Sequence, residues 1–473
     1  MIKPFDLVQT PSTLTRPDYP ATLQALAESA DQLFRRLARQ TAWLPAGHLV
    51  RLQVDAPPVD LVAWLAAQAP TARFYWSGRD DGRAAAGVGT AAVVSAESSS
   101  AHRTLFERVA QGLARADTGA RFYGGMRFQP DLPSSAEWET FGYGRFVAPA
   151  FEWSQGPEGS RLAWQFELDS AENRPAQLQR LQTQLAALRP PNPPGLLDLP
   201  PVSAQESLPT FDAWQSRLES ALSLLRAQTL QKVVLARRTV YHFTRPVLPL
   251  ALFQRLQQIA PRAFHFYFES EAGAAFLGAS PERLYRREGR RIESEALAGT
   301  RRRGQTPAED RDLARDLSAN EKERREHRLV LERVRSDLSR LCGVVSAESH
   351  PRVMPFEYVQ HLYQALQGNL MPDITDADIV QALHPTPAVG GWPRAAALDT
   401  IAALELFDRG WYAAPVGWLG QTGAELAVGI RSGLVNGATL TLFAGAGIVP
   451  GSSAAAEWQE TENKLRSFRH ILD

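Results

Sequence analysis

Ala424-Glu-Leu-Ala-Val-Gly-Ile430 and Ala438-Thr-Leu-Thr-Leu-Phe443 are two short strand-like runs that follow one another closely near the C-terminus. A glycine-rich segment, residues 444–453, is predicted to form a turn after them, and a helix is predicted from about residue 454 to the end. Strands that succeed one another as hairpins, without a helix between them, favour antiparallel pairing. This stretch therefore indicates an α+β protein with mostly antiparallel sheets and helices packed outside.

The same pattern runs back along the chain to about residue 208. Helices are predicted over about residues 211–227 and 318–341, and strand-like runs lie between them. A proline-rich segment, residues 189–207, is predicted to be a connector, because prolines in this number interrupt regular elements. It separates an N-terminal α/β part, residues 1–188, from a C-terminal region, residues 208–473.

The composition is that of an ordinary globular protein. Hydrophobic residues make up 44% of the 473 positions, and 51 basic residues balance 51 acidic ones. A net charge of zero provides no global field to attract nucleic acid or an anionic membrane. Cys342 is the only cysteine, which excludes a disulfide scaffold and fits a reducing compartment. No apolar run approaches the roughly 18 residues of a membrane span, and the first residues do not resemble a signal peptide. We therefore expect a cytoplasmic protein without nucleic-acid or membrane partners.

Lysine is rare in this chain. Only Lys3, Lys232, Lys322 and Lys464 occur, so 47 of the 51 basic residues (51 − 4) are arginine. Arginine cannot release its proton at a usable pH, whereas lysine can. Each lysine is therefore a candidate for a role that arginine cannot fill, although no role is predicted for Lys3 or Lys322.

The predicted long helix carries an inward-facing carboxylate. Val330, Val334 and Leu338 form its apolar stripe, and Glu326 lies one turn before Val330 on the same stripe. A carboxylate that faces inward requires a partner, which is either a basic side chain or a metal ion. The spacing alone leaves both possibilities open.

The C-terminal helix places three charged residues on one face. Glu457, Glu460 and Lys464 follow the spacing i, i+3, i+7. Two carboxylates and a lysine could bind a divalent ion such as Mg²⁺ together with an anionic ligand. A solvated salt bridge between Glu460 and Lys464 is the alternative.

Several segments resemble, in this order, the chorismate-utilising enzymes, a family that includes anthranilate, aminodeoxychorismate, isochorismate and salicylate synthases. The matching motifs are Lys232-Val-Val-Leu-Ala-Arg, Ala279-Ser-Pro-Glu-Arg-Leu, Ala296-Leu-Ala-Gly-Thr, Glu326-His, His384-Pro-Thr-Pro-Ala, Asp408-Arg-Gly-Trp-Tyr, Ile430-Arg, Ala444-Gly-Ala-Gly-Ile-Val and Glu457-Trp-Gln-Glu-Thr-Glu-Asn-Lys. They extend from about residue 208 to the C-terminus, and the N-terminal part resembles the family more loosely. The resemblance implies two large, mostly antiparallel sheets packed as a sandwich, to which the N-terminal part contributes.

The resemblance also implies the reaction. Members of the family that use water carry lysine at the position of Lys232, whereas ammonia-using members typically carry glutamine. Lys232 would then activate water for attack at ring carbon C2 of chorismate, and Glu282 would protonate the leaving C4 hydroxyl. For that role the pKa of Glu282 would have to be raised. The residues around Ala413 look more like the menaquinone-pathway isochorismate synthases than the ammonia-using branch.

Further roles carry over by resemblance. Glu326 and Glu460 would bind Mg²⁺ directly, and Glu457 would bind it through water. The residues that would hold the substrate are Gly299, Thr300, His384, Tyr412, Arg431, Gly445 and Lys464. We expect a monomer or weak homo-oligomer that needs no glutaminase subunit.

Three alternatives remain open. A salicylate synthase would share the lysine, acid and metal set and would also eliminate pyruvate. A subunit of the anthranilate or aminodeoxychorismate type would need ammonia, and Lys232 argues against it. A protein that binds chorismate without turnover is the third.

Overall fold

The computed structural model describes residues 18–39, 44–96, 102–193 and 195–472. Lys3 and the other residues of the N-terminus lie outside these ranges. The expectation of no signal peptide rests on those residues. The described chain forms twenty-two strands: β1 Leu49–Asp55, β2 Arg73–Ser77, β3 Ala84–Val88, β4 Ala92–Ala96, β5 Arg121–Met126, β6 Gly144–Ala148, β7 Phe151–Gly156, β8 Gly159–Glu167, β9 Val202–Leu208, β10 Lys232–Phe243, β11 Phe264–Glu269, β12 Ala275–Ser280, β13 Arg283–Glu288, β14 Arg291–Arg302, β15 Cys342–Ala347, β16 Arg352–Pro355, β17 Val359–Leu370, β18 Gly391–Trp392, β19 Pro415–Gly420, β20 Gly423–Val428, β21 Ser432–Asn436 and β22 Thr439–Ile448.

Twelve α-helices accompany the strands within the same ranges. They are α1 Tyr19–Ala38, α2 Leu61–Ala67, α3 His102–Ala114, α4 Arg174–Ala186, α5 Phe211–Arg226, α6 Pro249–Ile259, α7 Pro307–Ala319, α8 Glu321–Ser339, α9 Asp376–Leu383, α10 Arg394–Leu404, α11 Ala454–Lys464 and α12 Arg466–Leu472. No helix in the described ranges is long and apolar enough to cross a membrane.

The strands form two large sheets, as predicted. The larger has twelve strands in the order β1-β8-β7-β3-β2-β11-β12-β21-β22-β10-β18, with β9 also paired to β10. The smaller has ten in the order β15-β17-β14-β13-β20-β19-β5-β6-β4, with β16 also paired to β17. Neighbouring strands pair antiparallel, which confirms the α+β prediction.

Each sheet contains strands from both parts of the chain, and the two groups of strands meet at one strand pair in each sheet. Tyr75 of β2 lies opposite Tyr267 of β11, and Gly124 of β5 lies opposite Gly417 of β19. Aromatic side chains fill the space between the sheets, where the ring of Phe74 stacks on that of Tyr123 at a centroid distance of 3.9 Å. The N-terminal strands are therefore integral to both sheets.

Two predicted elements differ from those observed. The helix predicted over residues 318–341 corresponds to α8 and begins only at Glu321, because α7 ends just before it and the Asn320 side chain accepts a hydrogen bond from the Glu323 N–H (3.1 Å) that caps α8. The predicted connector is irregular only to Pro201. Its last residues form β9, a proline-free strand in which Ser207 lies opposite Thr239 of β10.

The first half of the glycine-rich turn predicted over residues 444–453 is strand. β22 continues to Ile448, with Gly445 opposite Ala236 and Gly447 opposite Val234 of β10. The glycines serve close packing rather than a turn: a Cβ on Gly447 would lie 2.9 Å from Cε of Lys232. The chain turns only afterwards, before the N-cap of α11.

Candidate active site

Eleven of the twelve site residues predicted from the sequence line one cavity. It lies where β10 and β22 of the larger sheet face the helices α8 and α11 and the middle of β14. Those eleven residues are Lys232, Glu282, Gly299, Thr300, Glu326, Tyr412, Arg431, Gly445, Glu457, Glu460 and Lys464. Residues separated by more than 200 positions in the chain therefore share one site.

Lys232, the first residue of β10, extends its side chain toward α8. Its Nζ donates a hydrogen bond to Oε1 of Glu326 at 2.7 Å, and its side chain is only 3% exposed. Burial acts to raise the pKa of Glu326, but Lys232 and the other nearby lysines outweigh it and lower that pKa below its ordinary value. The inward carboxylate predicted on this helix thus has a basic partner.

Glu282 lies in the short link between β12 and β13, with its carboxyl buried. Burial raises its pKa from 4.5 to about 8, and the negative charge of Glu295 acts in the same direction. Lys232 and Lys464 act in the opposite sense but do not cancel the effect. Glu282 is therefore protonated at neutral pH, as a proton donor has to be.

The predicted cluster on α11 forms, and it is paired internally. Lys464 Nζ lies 2.6 Å from Oε1 of Glu460 and donates to the carbonyl oxygen of Gly445 at 2.8 Å. Burial and the charge of Glu460 raise the pKa of Glu457 to about 6. Within the described ranges, no three carboxylate, histidine or cysteine side chains converge closely enough to hold a metal ion as they stand.

Arg431 and Tyr412 also line the cavity. Nη1 of Arg431 donates to the backbone oxygen of Lys464 at 3.1 Å, and burial lowers the pKa of Arg431 to about 10. Burial raises the pKa of Tyr412 to about 12, so that its phenol stays protonated beside the backbone of Gly445. The Tyr412 ring stacks on Phe443 at 5.2 Å. A cation and a hydroxyl donor thus face the same space.

The Gly299-Thr300 pair lies at an irregularity in β14. The register with β17 shifts between Ala298 and Thr300, and Gly299 has φ +78, in the left-handed region that favours glycine. The Thr300 N–H donates to Oε2 of Glu323 at 3.0 Å. The amide of Thr300, a residue expected to hold the substrate, therefore already holds a carboxylate, from α8.

His384 does not line the cavity, contrary to the role the resemblance implied. It is the C-cap of α9, and its Nε2 lies 3.1 Å from the carbonyl oxygen of Phe128. Its loop reaches the cavity through Ala388 and Val389 instead. Motif position alone did not reveal which residue of the loop faces inward.

Three polar residues of the cavity were not predicted from the sequence. They are His361 on β17, and Lys322 and Glu323 in the first turn of α8. Nδ1 of His361 lies 3.1 Å from the carbonyl oxygen of Gly299, and burial lowers its pKa to about 3, so the imidazole is neutral. Glu323 could have been found by its spacing, since it precedes Glu326 by three residues on one helix face. His361 lies on a strand with many polar neighbours, and no spacing signal distinguished it.

Comparisons with known proteins identify the family. A sequence profile of the family described as "Chorismate binding enzyme" matches residues 36–473. The chain is 33% identical over 415 residues to "Isochorismate synthase MenF" of Bacillus subtilis, covering 85% of this chain and 88% of the relative. It is 32% identical to "Isochorismate synthase MenF" of Escherichia coli, covering 95% and 99%. The solved structure of MenF, the menaquinone-specific isochorismate synthase from Escherichia coli, superposes with a TM-score of 0.81 at 29% identity, covering 95% of this chain and 100% of that one.

Proposed function

The chain belongs to the chorismate-binding enzyme family, and we propose that it is an isochorismate synthase, an isomerase that converts chorismate into isochorismate. In this reaction water adds at ring carbon C2, the ring double bonds shift, and the C4 hydroxyl leaves as water. One site must therefore remove a proton from one oxygen and supply a proton to another. The observation that carries the proposal is that a buried lysine, Lys232, and a buried protonated carboxyl, Glu282, line the same cavity.

Lys232 takes the role of general base. Its amine has to be neutral to accept a proton from water, so the ion pair with Glu326 has to open or lose its proton during the cycle. An arginine at this position would hold its proton permanently. This requirement accounts for a lysine here in a chain that otherwise uses arginine almost throughout.

Glu282 takes the role of general acid. Its pKa of about 8 keeps the carboxyl protonated at neutral pH, so that it can protonate the departing C4 hydroxyl. The base and the acid differ in environment: the carboxyl is buried near another carboxylate, which favours its protonated form, whereas the lysine is paired with a carboxylate that has to release it before it can act as a base.

Chorismate carries two carboxylates, and the cavity offers donors for both. We place the enolpyruvyl carboxylate at Arg431, Tyr412 and the backbone of Gly445, because a guanidinium and a phenol suit a planar anion. We place the ring carboxylate near Lys464 and the Thr300 amide. A substrate carboxylate bound there would replace the Glu323 carboxylate that now occupies the amide.

We propose Mg²⁺ as the cofactor, with Glu326 and Glu460 as direct ligands and Glu457 acting through water. The donors fit this ion, because they are carboxylate oxygens and because burial and the negative charge of Glu460 raise the pKa of Glu457. A bound Mg²⁺ would supply positive charge for the ring carboxylate. Glu326 and Glu460 would have to exchange their lysine partners for it.

We also propose a pathway, a cellular compartment and an oligomeric state. Relatives named MenF support menaquinone biosynthesis as the pathway that the product enters. We further propose that the enzyme acts in the cytoplasm as a monomer or weak homo-oligomer, without a glutaminase subunit, because the proposed nucleophile is water rather than ammonia.

Product analysis tests the function. The purified protein is incubated with chorismate and Mg²⁺, with and without EDTA, and the products are separated by chromatography. We expect isochorismate without pyruvate, and no turnover in EDTA. Salicylate with pyruvate would assign the protein to the salicylate synthases instead, and turnover only with added ammonia would contradict the role of Lys232.

A further inference from the structure

A buried ion pair joins the two sheets behind the cavity. Arg79 lies two residues after the end of β2 in the larger sheet, and Glu295 lies in β14 of the smaller one. Arg79 Nη1 and Nη2 donate to the two carboxylate oxygens of Glu295 at 2.9 and 2.8 Å. The two side chains are 3% and 1% exposed. The N-terminal part of the chain thus contributes one half of a fully buried, two-pronged contact.

The same two side chains also bind the backbone on both sides of Glu282. Arg79 Nη1 donates to the carbonyl oxygen of Pro281, and Oε1 of Glu295 accepts from the N–H of Arg283 at 2.7 Å. Glu282 itself is held by its N–H, which donates to Ser280 Oγ at 3.2 Å. The residue that carries the carboxyl is therefore fixed from both of its neighbours by one ion pair.

Stability alone does not account for this arrangement. A buried ion pair gains little over well-packed apolar residues of the same size, because both charges lose their hydration. The geometry of this pair is instead specific to one short segment, residues 281–283. Such a contact fixes where a side chain points, which a general acid requires to within a fraction of an ångström.

We propose that Arg79 and Glu295 are the positioning residues for Glu282, and that the N-terminal part thereby sets the placement of the proposed acid. The inference rests on the proposed function in so far as Glu282 is the proton donor. Arg79 and Glu295 do not line the cavity, so they act through the backbone and through charge rather than on the substrate.

Charge is the second way in which Glu295 acts on Glu282. Burial is the main reason that the pKa of Glu282 is raised, and the charge of Glu295 adds to it. The other groups that influence this carboxyl are Lys232, Lys464 and the Thr386 side chain, which all favour its ionised form. Glu295 is thus the acidic group that offsets two lysines.

The test is a pH profile of Glu295→Gln. Glutamine keeps the shape of the side chain and can still accept the hydrogen bond from the Arg283 N–H, but it carries no charge. We expect the loss of kcat at alkaline pH to begin at lower pH than in the wild type, with kcat at pH 8 about tenfold lower and KM unchanged. The matched control is Glu425→Gln, since Glu425 is equally buried and contacts the Arg283 side chain at 3.1 Å. This control should leave the pH profile unchanged.

An infrared titration makes the result independent of turnover. The band of the protonated carboxyl that is absent in Glu282→Gln is followed with pH in the wild type, Glu295→Gln and Glu425→Gln. A lower midpoint only in Glu295→Gln supports the proposal, and equal midpoints in all three overturn it. An active Glu282→Gln would refute the role of Glu282 as the general acid in the proposed function. The titration midpoints would still decide whether Glu295 acts on the Glu282 carboxyl.

A double variant covers the case in which Glu295→Gln does not fold. Arg79→Gln/Glu295→Gln leaves neither charge of the pair buried without its partner, so we expect it to fold. We expect its kcat to fall with KM unchanged, because the amides cannot reproduce the two-pronged contact. Wild-type kcat and an unchanged pH profile in this variant would overturn the proposal.

Discussion

Lys232 and Glu282 have opposite requirements within one cavity. The lysine has to give up a proton to act as a base, and the carboxyl has to keep one at neutral pH to act as an acid. Glu282 meets its requirement through burial, which raises its pKa to about 8. Lys232 is held by Glu326, an arrangement that keeps the lysine in place but that has to change during turnover.

Replacing Lys232 tests the base directly. We expect Lys232→Ala to lower kcat by at least about 100-fold, the usual contribution of a general base, while the fold is retained by circular dichroism. Lys232→Arg is the informative partner variant, because it preserves the positive charge beside Glu326 but cannot release a proton. We expect it to be as inactive as the alanine variant, and wild-type turnover in either variant would refute the assignment.

The pH dependence of kcat/KM tests the acid. Glu282 donates a proton only while protonated, so activity should fall as the pH rises through its pKa of about 8. The folded protein also holds this proton over a range in which the unfolded chain has released it. The free energy of unfolding should therefore fall between about pH 4.5 and about pH 8 in the wild type, and less so in Glu282→Gln. An alkaline limb that persists in an active Glu282→Gln would assign it to another group.

At the scale of elements, α8 and α11 each present carboxylates to one cavity. The spacing predicted an inward carboxylate on α8 and a shared charged face on α11, and the sequence left open whether ion pairs or a metal ion would satisfy these carboxylates. In the structure Lys232 and Lys464 pair with Glu326 and Glu460. The two possibilities are therefore connected, because the proposed metal ligands are the carboxylates that the lysines hold.

Mg²⁺ binding should depend on both helices. We expect Glu326→Ala and Glu460→Ala each to abolish the heat of Mg²⁺ binding in calorimetry and to eliminate activity, because each removes a proposed ligand. The control is Glu332→Ala, which changes an exposed glutamate on the same helix as Glu326. Mg²⁺ binding that survives in both ligand variants would show that the ion is held elsewhere.

The close packing of β22 on β10 gives a further prediction. A Cβ on Gly447 would lie 2.9 Å from Cε of Lys232, so Gly447→Ala should displace the lysine and lower kcat at least tenfold. Such a loss corresponds to an activation free energy that is higher by about 1.4 kcal/mol or more. Gly343→Ala on β15 is the control, since a Cβ there meets nothing within 4 Å. Steady-state kinetics and melting curves of both variants check this, and an unaffected Gly447→Ala would mean that the lysine tolerates the shift.

Element type was largely predictable, and element limits were not. The apolar periodicity of α8 predicted its buried face correctly, but its start after Asn320 depends on one side-chain hydrogen bond to the Glu323 N–H. The glycines of β22 indicated a turn because glycine is common in turns. Glycine is instead required there because the side chains of Lys232 and Tyr412 lie close to the backbone of β22, a contact that no local pattern reveals.

At the scale of the whole molecule, the site depends on pairings between distant strands. β2 pairs with β11 and β5 with β19, so each sheet contains strands from both parts of the chain. The antiparallel class could be predicted from the succession of hairpins. The order of the strands could not, because side-chain alternation does not specify which of many similar strands will be neighbours.

The prediction of the site residues is limited in the same way, because local sequence does not specify contacts between distant segments. Eleven of those implied by motifs lie together, because each motif has a distinctive local sequence. A motif does not show whether its side chains face the cavity, as two histidines illustrate. His384 belongs to a matched motif but does not line the cavity, whereas His361 belongs to none of the motifs and does line it. Which side of a strand or loop points inward depends on the packing of the whole molecule.

The central claim is that water is the nucleophile that converts chorismate into isochorismate. The most direct test is turnover in water enriched in oxygen-18 with Mg²⁺, followed by mass spectrometry of the product at early times. The account predicts isochorismate that is two mass units heavier through its new C2 hydroxyl, without pyruvate, and none from Lys232→Ala. Isochorismate that carries no label would contradict it.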